Sequence, residues 1–267
     1  MSPTVLILLP PSEGKTAPAR GRRLSLRELG FPELNQARAD ILDALIDVCE
    51  GPTTAASKIL GITSGQADLV ELNSHLRTSP CAPAGEVYTG VLYDALDWTT
   101  LTATARRRAG ERVAIASALF GLVRPTDPIP AYRLSADTAL PGLPGTGRLR
   151  STWNSVLPDA IATAAPRGVV WDLRSAAYAA LGPVPADLAE RTAVTRVLQV
   201  KGTKRVVVSH HNKATKGRLT RALLSGAAPK TVPDLAGLLS AAGHRVELQP
   251  GKNETSPWNL DVIVDSV

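Results

Sequence analysis

Short runs rich in valine, isoleucine and leucine set the first limit on what this chain can become: Val5–Leu9, Val113–Ser117, Val169–Leu173, Ala193–Val200, Arg205–Ser209, Arg245–Leu248 and Val262–Val264. Successive strand residues face opposite sides, so runs apolar at every position need cover on both faces of a sheet. Leu34, Ala37, Ile41, Leu45 and Val48 recur at three- and four-residue steps, which predicts an amphipathic helix over Pro32–Cys49. Shorter helices are expected at Ser155–Ala164, Ser175–Leu181, Lys216–Leu224 and Pro233–Ala241. The pattern is α/β: a mixed β-sheet flanked by helices. Strands come too irregularly for a clean doubly wound sheet. No repeat and no dividing linker interrupts residues 1–267, so one domain is expected.

The first run breaks into "LILLPPSEGKT". A strand followed by Gly-Lys-Thr resembles a phosphate-binding loop, yet Leu9 stands where the first glycine of that pattern belongs. Pro10 and Pro11 also lack the amide hydrogens that would cradle a phosphate. Ser12, Glu13 and Lys15 therefore need another explanation.

The net charge of +6 is concentrated. Between Arg191 and Pro233 there are ten basic and no acidic residues, leaving 20 basic against 24 acidic side chains elsewhere. Such a block either tracks a polyanion or is a solvated face. Cys49 and Cys81 are too few for a disulfide framework and lack metal-ligand spacing. The Thr4–Leu9 run is far too short to cross a membrane, and no signal-like segment precedes it. A cytoplasmic protein with no membrane partner is expected.

Three further stretches carry candidate chemistry. Thr54–Thr78 reads as helix, Gly61-Ile62-Thr63 turn, and a second helix capped by Ser64. This is the outline of a helix-hairpin-helix, whose backbone amides contact nucleic-acid phosphate, and equally of an ordinary αα-corner. "SALFGLVRPTDPIPAYRL" places Arg124, Asp127, Tyr132 and Arg133 in a loop stiffened by prolines. "WDLRSAAY" offers Asp172, Arg174, Ser175 and Tyr178 at a strand end, where Asp172 and Ser175 also suit helix capping.

Taken in order, "ILLPPSEGKT", "GEVYTGVL", "ALFGLVRPTDPIPAYRL", "STWNSVL", "WDLRSAAY" and Lys213, Lys216 and Gly217 resemble the motifs of the YaaA family of peroxide-stress proteins over nearly the whole chain. The resemblance implies one α/β unit with a helix-hairpin-helix-like insertion at about 54–78, a basic cleft, and binding to duplex DNA. It also implies protection against hydrogen peroxide by limiting free iron and oxidative DNA damage. Two departures stand out: Thr63 replaces the second hairpin glycine, and His210-His211 replaces aromatic residues. No cofactor and no metal ligand set is expected, since a His pair on a strand would point to opposite faces.

Independently of the family, Lys213, Lys216 and Arg218 crowd an expected helix start, where three cations repel one another and the helix dipole unless an anion compensates. Two functions remain open. In the first, the chain binds duplex DNA or another phosphate-bearing anion through Ser12, Lys15, Gly61, Tyr88, Arg124, Arg133, Arg174, Ser175, Lys213, Lys216 and Arg218. In the second, it acts on a nucleotide, nucleobase or damaged DNA, in the manner of a glycosylase or lyase. Glu13, Asp127, Asp172 and Tyr132 would then be the catalytic candidates. In either case Ser12, Glu13, Lys15, Arg124, Asp127 and Tyr132 are expected to share one cleft with the Lys213–Arg218 helix start.

Overall fold

Every residue of the first strand is buried on both of its faces: Leu6 to Leu9 are at most 1% exposed. At about 1.5–3 kcal/mol per buried aliphatic side chain, this strand is a central anchor of the core. The computed structural model describes residues 5–201, 204–207 and 209–264. In chain order the strands are β1 (Leu6–Leu9), β2 (Ala82–Pro83), β3 (Val113–Ser117), β4 (Gly121–Val123), β5 (Pro128–Ile129), β6 (Val170–Asp172), β7 (Thr192–Lys201), β8 (Lys204–Val207), β9 (Arg245–Gln249) and β10 (Trp258–Val264).

The main sheet runs β4-β3-β1-β6-β7-β10-β9, with β8 also on β7. Strands β3, β1, β6, β7 and β10 are mutually parallel, while β4, β8 and β9 are antiparallel to their neighbours. β6 is short and meets β7 only at Thr192–Val194; β8 takes its place further along the same edge of β7, from Leu198 to Lys201. β2 and β5 form a separate two-stranded ladder. The fold is mixed α/β, as the residue pattern indicates.

Helices cover the sheet. Asn35–Glu50 packs on Thr53–Leu60 and Asp68–Ser74 and buries Ile41, Leu42 and Leu45. The buried Arg38 on this helix donates to the carbonyls of Gly30, Phe120 and Leu122 and to Asn35 Oδ1, pinning the turn after β3. Burial draws its guanidinium down to about 10, with Asp127 opposing the shift.

Several local expectations shift. The Ser155–Ala164 candidate is the helix Leu157–Ala164, and a separate helix, Leu149–Asn154, precedes it. Ala103–Arg112 was hidden because only Ala105 and Ala109 of this arginine-rich segment are buried. β8 ends at Val207, and the next helix already begins at Ser209, so His210-His211 lies on a helix and not on a strand. Lys213, Lys216 and Arg218 therefore sit in its second and third turns, beyond the first-turn amides that would favour an anion.

Candidate functional site

At the C-terminal edge of the sheet, β1 runs out into Pro10 and Pro11, and the chain turns back through Ser12 to Thr16 against Val87–Thr89. Lys15 forms an antiparallel bridge with Tyr88, and Thr16 N–H donates to Val87 O at 2.9 Å. Thr89 N–H donates to Gly14 O and also reaches Ser12 Oγ at 3.2 Å. This turn is a strap laid on "EVYTG", not a phosphate cradle, and it holds the Lys15 side chain over the sheet edge.

There Lys15 Nζ donates to Ser12 O at 2.9 Å and lies 4.2 Å above the Tyr132 ring and 5.4 Å from that of Tyr88. The Tyr132 hydroxyl is 2.8 Å from both Tyr88 Oη and Ser117 Oγ, joining the ends of three segments in one buried chain. Burial pushes both tyrosines well above their ordinary values, so they act as neutral hydrogen-bonding groups. Arg133 Nη1 donates to Glu13 Oε2 at 3.2 Å. The enclosed Nε of Arg133 has no hydrogen-bond partner among the described residues. Desolvation, aided by the Arg133 charge and opposed by Glu13, draws the Lys15 ammonium down to about 7. A ring face favours a desolvated ammonium by about 2 kcal/mol, which opposes part of this shift.

The opposite wall is the helix Ser209–Ser225. Its buried Lys216 donates through Nζ to Leu173 O, just past β6, at 2.8 Å, and burial lowers it to about 8 despite nearby Asp172. Lys213 is exposed one turn earlier. Gly217 lets this helix meet Val91–Leu96 at close range: a Cβ there would stand 2.2 Å from Leu92 O and 2.9 Å from Ala95 Cβ. Between the walls lies a cavity of about 530 Å³ lined by Pro10, Ser12, Glu13, Leu92, Ser175, Tyr178, Lys213 and Lys216, among others. Two smaller cavities, about 270 and 230 Å³, share Glu13, Lys15 and Arg133. Together they form one cleft at the carboxyl ends of β1 and β6, where open α/β sheets bind ligands.

The cleft gathers Ser12, Glu13, Lys15, Tyr132, Arg133, Ser175, Lys213 and Lys216, with Tyr88 beneath it. Arg124 and Asp127 are not among its lining residues. Arg124 donates to Val113 O at the amino end of β3 and stacks on Phe31, while Asp127 accepts the amides of Gly30 and Arg124. The reason is topological: antiparallel β4 carries the chain back to the far edge of the sheet before either residue is reached.

Asp172 and Arg174 also depart from expectation. Arg174 grips both Asp172 oxygens, at 3.0 and 2.7 Å, and donates to Gly182 O. Both side chains are buried, so their charges serve each other; they line a separate, mainly apolar crevice of about 240 Å³. Arg218 is exposed and lines none of these cavities.

Gly61 adopts the left-handed conformation at φ 62° as the cap of Thr53–Leu60, and its amide and that of Ile62 donate inside the turn to Lys58 O and Ser57 O. Thr63, not Ser64, is the cap of the following turn, in a box with Gln66. The segment does border the cleft through Gln66, Leu69 and Leu72.

Two contributors were not foreseen. Asn73, fully buried, holds the Arg133 backbone through both its N–H and its C=O, at 2.9 and 2.7 Å. Its only signal was an amide on the apolar face of a helix. Tyr93 donates to Pro10 O at 2.8 Å and braces the cavity wall. Among the described residues no three His, Cys, Asp or Glu side chains gather to hold a metal.

The model of a family described as peroxide stress protein YaaA matches residues 5–248. A UPF0246 protein of Streptomyces coelicolor is 45% identical over 98% of this chain and 100% of its own length. One from Corynebacterium efficiens is 42% identical over 94% of this chain and 98% of its own. A more distant UPF0246 protein of Bacteroides thetaiotaomicron is 32% identical over 56% of this chain.

Proposed function

The chain belongs to the YaaA family of peroxide stress proteins, and on that premise we propose that it serves the peroxide response by holding a phosphate-bearing anion, duplex DNA foremost, in the cleft around Arg133 and Lys213. One observation carries this reading. Lys15, Lys213 and Lys216 line the cleft and none has an ion-pair partner among the described residues, while Arg133 is paired only with the exposed Glu13. Four cations, Lys15, Arg133, Lys213 and Lys216, line the cleft against two carboxylates, Glu13 and Asp137; cations in excess repel one another, and a phosphate relieves that repulsion. Lys216, one turn from Lys213, takes up a proton as the anion arrives, since its charge restores the ammonium form. Gly61 lies on the turn that leads to the Gln66 border and contributes a backbone approach to the duplex.

Backbone phosphate contacts give sequence-independent, salt-sensitive affinity. The test is fluorescence anisotropy of a labelled duplex across a salt series. The Arg133→Gln/Lys213→Gln protein should bind more weakly to every sequence and lose up to about two units of log–log salt slope. Equal affinity and slope in wild type and variant would reject the cleft as the binding site.

A second reading, an enzyme acting on a nucleotide or a displaced base, is favoured by the shape of the larger cavity. Its lining combines Val91, Leu92, Tyr93 and Tyr178 with Ser12 and Ser175, a mixture suited to one base or sugar more than to a duplex backbone. Mononucleotides competing with duplex for the cleft would support it.

A further inference from the structure

We propose that Lys15 is a nucleophilic amine that forms an imine with an aldehyde carried on a phosphate-bearing molecule bound in this cleft. The inference rests on the anion-cleft reading for its phosphate and on the surroundings of Lys15 for its chemistry. Lysine amines become nucleophiles when desolvated or set beside another cation, and Lys15 has both conditions. The Tyr132 ring lies under Nζ, Arg133 stands beside it, and Glu13 pairs with Arg133. Nζ is tethered to the Ser12 carbonyl, which accepts one hydrogen but does not hold the charge as a carboxylate would. Loss of the proton near pH 7 frees a lone pair on a side chain that lines two cavities. Lys216 is the weaker candidate: it is tied to Leu173 O and next to the Asp172 charge that favours its ammonium form.

The step balances without any other reactant. The Lys15 lone pair forms an N–C bond to the carbonyl carbon as the C=O π pair moves to oxygen. A proton passes from nitrogen to that oxygen, giving a carbinolamine. The hydroxyl then leaves with the second amine proton as one water, and the C=N bond forms. Glu13, on the walls of all three cavities, is the carboxylate that relays these protons. Arg133 and Lys213, which need no deprotonation, hold the phosphate meanwhile.

Reductive trapping tests this directly. The full-length protein is treated at pH 7 with glyceraldehyde 3-phosphate or with glyceraldehyde, each with cyanoborohydride, and the adduct is located by intact-mass and peptide mass spectrometry. An unperturbed lysine amine is neutral about once in 2,500 at this pH. A single adduct on Lys15, forming about 100-fold faster than on the exposed Lys252, is the expected result. It should vanish in Lys15→Arg and in Lys15→Gln and persist in Lys216→Arg. The phosphorylated aldehyde should label at roughly tenfold lower concentration, an advantage lost in Arg133→Gln/Lys213→Gln. Labelling spread over exposed lysines, or unchanged in both Lys15 variants of native melting temperature, overturns the inference. Equal labelling of Lys15 by both aldehydes would keep the nucleophile and reject the phosphate site. Salt-sensitive duplex binding without a Lys15 adduct would do the reverse.

Discussion

Arg133 and Glu13 meet at 3.2 Å across the cleft, with the arginine side chain 17% exposed and the carboxylate 84% exposed. An ion pair so open on one side adds little to stability, at most about 1 kcal/mol. Its electrostatic effect on a ligand is larger, because the carboxylate opposes any phosphate approaching Arg133. Glu13→Gln should therefore leave the melting temperature within about 2 °C of wild type and raise duplex affinity several-fold at low salt. Weaker binding, measured by anisotropy, would show that Glu13 holds Arg133 in position more than it competes with the ligand.

Lys213 and Arg218 share one helix but not one cavity. Lys213→Gln should lower the salt slope for duplex binding by up to about one unit, while Arg218→Gln should leave it unchanged. A drop of equal size in both would mean that the duplex covers the outer face of the helix and not the cleft.

The Asp172–Arg174 pair sets a different expectation. Asp172→Asn leaves the buried Arg174 guanidinium without its carboxylate, at a cost of about 3–5 kcal/mol in urea unfolding. Replacing both by Asn and Met should recover part of that loss. A single variant as stable as wild type would show that the pair is not a structural element.

Stability should rise with pH from about 7 to 8.5. In the folded chain Lys15 and Lys216 release their protons near 7 and 8, whereas the unfolded chain holds them to about 10.5. The unfolded state therefore binds more protons across this window, and raising pH favours the native one. Above it the buried Cys81, Tyr88 and Tyr132, all shifted upward, oppose the rise as their unfolded forms ionise first. Lys15→Met should flatten the rise. A Lys15→Met protein whose melting temperature climbs as steeply as wild type's rejects the buried-amine account.

At Gly61 backbone and charge can be separated. A Cβ there meets nothing within 4 Å, so the cost of substitution is the left-handed φ alone, which Asn and Asp tolerate best. If the turn approaches phosphate, Gly61→Asp should weaken duplex binding and Gly61→Asn should not. Identical binding by the two variants would leave the segment as a structural corner.

Much of the sheet was readable in advance. β1 and β3 announce themselves as apolar runs because both of their faces are covered. β4 did not, since three buried residues next to a turn give no period. The cleft was half readable: Ser12, Glu13 and Lys15 follow a buried strand directly, so the strand's direction places them. Arg124 and Asp127 follow a reversal of direction that local composition does not encode, and they were assigned to the wrong edge of the sheet. Asp172 and Arg174 were placed at the right strand end, but the sequence could not show that each neutralises the other. Asn73 acts on Arg133 across 60 positions of chain, a relationship no local pattern carries.

Gly217 acts as a fulcrum. The helices Val91–Leu96 and Ser209–Ser225 form opposing jaws of the larger cavity, and they touch where this residue has only a hydrogen to offer. Their separation is thus calibrated by the smallest side chain available, one position along the helix from Lys216. A methyl group there would act as a shim, and a fraction of an ångström at the pivot would be magnified at the aperture. The gauge of molecule the cleft admits is therefore set partly by a residue that no ligand needs to reach.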